Sequence, residues 1–264
     1  MDQAQRDRKA YELARAYLLS FDGVTPEILE AHLTPEADHP PALADVYHRL
    51  LVSAQNRNML PGVIGKAIEG IDRLAPLLCD FDPKAVTAKY HNWEAVLDDI
   101  VVRLRPRGKI NRSKKALWPQ FCRTIVAGAQ FLAQFESAGA FYEWVEFFDQ
   151  DDRARPALPM LLSYEIDGFG FALACDFLKE IGYTSFGKPD VHLRKIFDAL
   201  LLSSNDRAYV VFKAIVRVAR NVGVTPFTAD RIFWLTASGK FFRAGLQIDT
   251  ERDAFIAYAR ERLD

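Results

Sequence analysis

Apolar residues recur at three- and four-residue spacing along almost the whole chain. They do so in 8–20, 44–54, 63–78, 93–104, 115–135, 139–148, 157–166, 171–182, 191–203, 207–221, 228–237 and 250–262, the pattern of helices that turn one face to a core. Two-residue alternation, which a half-buried strand needs, is hard to find. Breakers punctuate these segments: Pro26, Pro40-Pro41, Pro61-Gly62, Pro83, Pro106 to Gly108, Pro156, Pro159, Gly168 to Gly170, Gly187 to Pro189, Gly223 to Pro226 and Gly239. The pattern therefore predicts an all-α protein, and 264 residues, half of them apolar, suffice for one large core or two lobes. There is no solenoid-period repeat and no low-complexity segment. Residues 1–42 read as an amphipathic N-terminal helical extension packed on the main body.

The formal net charge of -1 gives no global bias toward nucleic acid or membrane, so a charged partner has to be recognised by a local patch. No apolar run approaches the length of a bilayer span, and the charged start MDQAQRDRKAYELARAYLLSF lacks a signal peptide's apolar centre. A soluble, cytoplasmic, monomeric protein is expected, with no membrane partner. Cys79, Cys122 and Cys175 lie far apart without a Cys-x-x-Cys or Cys/His cluster, which supports neither disulfides nor a metal or iron-sulfur site. No cofactor is expected.

One patch departs from neutrality. Residues 103–115, RLRPRGKINRSKK, contain Arg103, Arg105, Arg107, Lys109, Arg112, Lys114 and Lys115 with no acid between them. Pro106 and Gly108 make this a loop leading into a helix, so cationic side chains and free helix N-terminal amides would meet there, a pairing that suits phosphate. A second signal is Asp167-Gly168-Phe169-Gly170, a short glycine turn between two apolar helices. Such a helix-hairpin-helix lets another chain approach the backbone closely and presents N–H groups at the start of its second helix. About twenty residues on, Asp190 follows Pro189 at the start of a further helix, where it can act as N-cap or as a functional carboxylate.

Taken together, these features resemble the helix-hairpin-helix (HhH-GPD) DNA glycosylases, the superfamily of endonuclease III, the adenine glycosylases and the alkyladenine glycosylases. Four stretches carry the resemblance, in the family's order, over roughly 45–240. LLVSAQN at 50–56 resembles the family's Ser-Ala-Gln stretch and puts Gln55 where a side chain inserts beside the gap left by an extruded base. RGKINRSKKALWPQFCRTI at 107–125 is similar to the Gly-x-x-Asn-x-Lys loop and its helix. IDGFGFALA at 166–174 resembles the hairpin, and KPDVHLRKIF at 188–197 resembles Val-Asp-Thr-His-x-x-Arg, which places Asp190 on the catalytic aspartate and His192 on its neighbouring histidine. FWLTASGK at 233–240 is a fainter match to the Trp-Leu-x-x-x-Gly segment.

The resemblance implies a two-lobed helical fold: a glycosylase-like domain over 43–245, its central lobe about 55–185, and a C-terminal helix over 246–264 packing on the second lobe. It implies double-stranded DNA with a modified or damaged base as partner. Gly168, Gly170, Lys109, Asn111, Arg112, Lys114, Gln55 and His192 would contact DNA, and Gln55, Tyr90, Trp93 and Trp144 are candidates for the base pocket. Two departures define the chemistry. The lysine nucleophile of the lyase-competent members is replaced by Ala172, and there is no cysteine beyond Cys175 to hold an iron-sulfur cluster. The expectation is thus a monofunctional glycosylase that flips a base and hydrolyses its glycosidic bond, in repair or phage defence. The alternatives are a relative that processes hypermodified bases and an inactive DNA-binding module.

Overall fold

The computed structural model describes residues 1–35, 38–56 and 62–263. Among them lie fourteen α-helices, with one antiparallel pair of two-residue strands, Lys240–Phe241 (β1) and Leu246–Gln247 (β2). The fold is all-α, as the periodicity predicts. The helices divide into two compact units, Met1–Ala37 with Gly182–Asp264, and Asp38–Ile181.

The first unit holds α1 (Gln3–Leu19), α2 (Pro26–Leu33), α11 (Val191–Ala199), α12 (Ala208–Val222), α13 (Pro226–Ser238) and α14 (Arg252–Leu263). Helix α1 starts at a capping box in which Asp2 accepts from the Gln5 amide and Gln5 returns a bond to the Asp2 amide. Its apolar face, Ala10, Ala14 and Leu18, is buried in the core with Ile215 and Val218 of α12 and Phe233 of α13. Phe233 stacks edge-on against Phe197 at 5.1 Å and lies 6.3 Å from Phe255 of α14. The first helix is therefore packed into one core with the C-terminal helices of this unit. Its polar face carries an ion pair: Asp7, fully buried, accepts from Arg217 Nε (2.8 Å) and Nη2 (3.0 Å), Asn221 Nδ2 (2.7 Å) and Gln3 Nε2 (2.9 Å).

The second unit contains α3 (Leu43–Ala54), α4 (Val63–Ile68), α5 (Pro83–Lys89), α6 (Trp93–Leu104), α7 (Leu117–Leu132), α8 (Ala138–Asp149), α9 (Ala157–Glu165) and α10 (Phe171–Glu180). Helix α7 is its axis, with eleven of its residues buried. Gly128 admits α3 beside it, since a Cβ there would lie 3.1 Å from Leu50 Cδ2. Tyr47 of α3 donates to Ile125 O at 2.6 Å. This unit begins before the expected lobe boundary at 55, because α3 packs on α7 and α10.

Helices α2 and α5 fall outside the periodic segments. Each opens on a proline behind a capping side chain: Thr25 accepts from Ile28 N before Pro26, and Asp82 from Lys84 N before Pro83. A proline read as a breaker is here a first-turn residue, where its missing N–H costs nothing. The run 63–78 does not form one helix. Glu69 (φ 65°) and Gly70 (φ 116°) end α4 in left-handed conformations, and a short 3-10 turn, Ile71–Leu74, follows.

Candidate functional site

Asp190 is held by a loop with no room to move. At Gly187 a Cβ would lie 2.5 Å from Ile215 Cγ2 and 3.1 Å from Pro226 O, so only glycine fits. The next amide, Lys188 N–H, donates to Oδ2 of the buried Asp230 at 3.0 Å. Asp190 then caps α11, its Oδ1 accepting from His192 N (2.8 Å) and Leu193 N (3.0 Å). Its Oδ2 takes no hydrogen bond among the described residues. Burial pushes the Asp190 carboxyl above its ordinary value. The Leu193 amide opposes that shift, the Asp230 charge adds to it, and Lys188 and His192 pull it back. His192 Nδ1 is buried without a hydrogen-bond partner. The charge of this carboxylate is disfavoured by burial, and the His192 Nδ1 nearby in the chain also lacks a partner, two features that functional sites often gather. Replacing Gly187 by Ala should cost roughly 1–3 kcal/mol by overpacking and displace this loop. Comparison of urea denaturation and of the Asp190 carboxyl 13C titration in the two proteins checks both; equal stability and an unchanged titration would show that the loop is slack.

In the second unit, α9 and α10 form the expected hairpin. Gly168 takes φ 76°, Phe169 N–H closes the turn on Ile166 O at 3.0 Å, and the Phe169 ring is anchored in the core. Helix α10 begins at Gly170 with no side-chain cap. Its second residue is Ala172, so no amine stands at the position of the family's lysine. Two side chains of α7 hold the turn: Thr124 Oγ1 lies 3.0 Å from Asp167 O, and Arg123 Nη1 is 3.5 Å from Asp167 Oδ2. Arg123 Nη2 also donates to Lys114 O at 2.9 Å. One arginine thereby ties the hairpin turn to the end of the basic loop and offsets the acid of Asp167. Arg123 is not among the sequence candidates, because its partners lie nine and forty-four residues away.

The basic loop enters α7 at Ala116, again without a side-chain cap. Its charges divide. Arg107 pairs with Glu69 and Arg112 with Asp98, both at 2.6 Å, and Arg103 lies 3.9 Å from Asp99. Arg105, Lys109, Lys114 and Lys115 have no ion pair among the described residues. Asn111 Oδ1 accepts from Ser113 N at 2.9 Å and shapes the turn. Of the residues expected at DNA, Lys109 and Lys114 are free to reach a phosphate, Arg112 must exchange a carboxylate for one, and Asn111 is a turn residue.

The expected base-pocket residues do not form one site. Gln55 lines an open groove of about 510 Å³ with His48, Val52, Gly65, Lys66 and Asp72, and His48 Nε2 is 2.7 Å from Asp72 Oδ1. Gln55 Oε1 sits where a side chain on Gly65 would otherwise be. Tyr90 is buried, its hydroxyl 2.7 Å from Asp99 Oδ2 and 3.2 Å from Leu77 O, which leaves no free edge for a base. Trp93 is the half-buried first residue of α6. Trp144 packs among Phe131, Phe135, Phe141 and Phe148, at 5.3 to 6.1 Å between ring centres. Tyr90 and Trp144 are thus packing residues. Among the described residues there is no group of three or more His, Cys, Asp or Glu able to hold a metal ion, and no helix is long and apolar enough to cross a membrane. No protein-family model, curated protein or solved structure matches the chain.

Proposed function

We propose that this protein is a monofunctional DNA glycosylase that excises a modified base, in repair or phage defence. The observation that carries the reading is Asp190: a half-buried carboxylate of raised pKa, fixed through Oδ1 at the start of α11, with Oδ2 uncommitted. Breaking an N-glycosidic bond builds positive charge on the deoxyribose, and an anion held near the sugar stabilises that charge and orients the attacking water. The water oxygen bonds to the anomeric carbon, the bonding pair leaves with the base, one water proton stays on the new sugar hydroxyl and the other ends on the base. The glycine hairpin, the uncapped starts of α10 and α7, and Lys109 and Lys114 would hold phosphates, while Gln55 would fill the gap left by the flipped base.

The experiment is excision from duplexes that each carry one modified base, scored as alkali-labile abasic sites. Binding without excision of any of them would favour a DNA-binding module. Affinity for duplex DNA should fall steeply with salt, and Lys109→Ala with Lys114→Ala should flatten the log–log slope by about one unit for each phosphate no longer neutralised. Arg112→Ala should flatten it less, because Asp98 already neutralises part of its charge. Unchanged slopes in both would make 103–115 a solvated loop.

A further inference from the structure

The first unit contains an arginine that no carboxylate answers among the described residues. Arg231 of α13 lies over three aromatic rings, with its guanidinium carbon 5.2 Å from the centre of Phe227, 5.6 Å from Trp234 and 5.3 Å from Phe242. Phe227 and Trp234 come from one turn before and one turn after on the same helix, and Phe242 from the 3-10 turn after β1. Its Nε is buried and makes no hydrogen bond. No carboxylate or carbonyl pairs with the guanidinium among the described residues. Arg243, next to Phe242, by contrast donates to Thr34 O at 2.9 Å and to Ala31 O.

A buried N–H without an acceptor is costly, and rings satisfy a guanidinium's faces but not its in-plane donors. Packing among three rings also removes much of the rotamer freedom that an arginine loses on binding, so an anion pays less to be held. The free edge of the guanidinium fits two oxygens of a phosphate. Phe242 is 57% exposed, with Arg231 over its ring and the His32 ring 5.4 Å away, so part of its aromatic surface is open to solvent. Phosphate recognition next to an open ring is the arrangement that holds one nucleotide, with the guanidinium on its phosphate and the ring against its base.

We infer that Arg231 and Phe242 form a nucleotide-binding site, in which Arg231 takes the phosphate and Phe242 stacks on the attached base. The site goes beyond the proposed excision and holds whether or not Asp190 removes a base. The occupant is a nucleotidyl phosphate, supplied either by a free nucleotide or by one unit of a single strand.

The test follows the Nε–Hε resonance of Arg231 in 15N spectra of the full chain, assigned by its loss in Arg231→Gln, during titration with inorganic phosphate, deoxyadenosine monophosphate, a short single-stranded oligonucleotide and acetate. The nucleotide should shift it with half-saturation about tenfold below that of inorganic phosphate. Phe242→Ala, a change at an exposed ring, should bring the nucleotide back to the phosphate value. Tighter binding of the oligonucleotide than of the mononucleotide would assign the site to a strand, and equal binding to a free nucleotide. A resonance that no phosphate compound moves would overturn the inference, as would acetate acting as strongly as the nucleotide or a nucleotide response indifferent to Phe242→Ala. The same titration on Asp190→Asn should be unchanged, so failure of the excision reading leaves this site standing.

Discussion

Asp190→Asn should lower base excision by about a hundredfold or more and, at neutral pH, raise the melting temperature. Both effects come from one carboxylate. On the proposed function its charge faces a developing cation in the transition state, in a partly dehydrated site where such partners are worth the most. In the free protein the same charge is disfavoured: burial pushes its pKa above the ordinary 3.8, and Asp230 adds to the shift. A carboxyl whose folded pKa is raised contributes stability that is fully present below the unfolded value and lost as pH rises through the folded one. Asparagine caps a helix as well as aspartate and carries no charge, so it keeps the bonds to His192 N and Leu193 N without that penalty. The melting-temperature gain of the variant should therefore vanish near pH 3 and grow to a plateau as pH rises past the Asp190 pKa. Melting curves across pH, beside single-turnover excision rates, measure the two effects. A variant that is less stable than wild type at neutral pH, or that excises at the wild-type rate, would make Asp190 a helix cap only.

Asp7→Ala should destabilise the first unit by on the order of 3 kcal/mol. Four donors from α1 and α12 converge on this fully buried carboxylate, and truncation leaves the Arg217 guanidinium, Asn221 and Gln3 without their acceptor. Arg217 is 37% exposed, so water relieves part of the penalty and keeps the cost at the lower end for a broken ion pair. For a chain of this size that is a fall of roughly 6–12 °C in melting temperature. Asp7→Asn, which can still accept from one or two donors, should lie between. Urea denaturation gives the value directly, and a destabilisation below about 1 kcal/mol would show that α1 is held by its apolar face alone.

What is legible in the sequence is what local chemistry determines. Helix α6 is read at its observed bounds because Asn92 caps it and its apolar positions keep the helical period. The hairpin at Gly168 is visible because a left-handed turn between two apolar runs needs glycine. Asp190 is visible by its place behind Pro189. Groups set by distant parts of the chain are not: Asp230 beside the Asp190 loop, Arg123 between hairpin and basic loop, Asp7 with Arg217, and Arg231 among its rings. Each depends on packing between elements whose pairing no spacing rule encodes. The same limit explains Tyr90 and Trp144, aromatics whose chemistry suits a pocket, of which Tyr90 is buried in the core and Trp144 packs half-buried against neighbouring rings. It also explains Arg112, cationic in an acid-free run yet paired with Asp98 from the preceding helix.

The central claim is that Asp190 supports hydrolysis without a covalent enzyme intermediate. The most direct measurement is product analysis of the wild-type protein on duplexes bearing modified bases, with released base quantified and the strand examined before and after alkali, in the presence and absence of borohydride. Free base, an abasic strand intact until alkali, and no borohydride-trapped complex are predicted, because Ala172 offers no amine for an imine. A trapped protein–DNA adduct with strand cleavage before alkali, or no released base from any duplex, would contradict it.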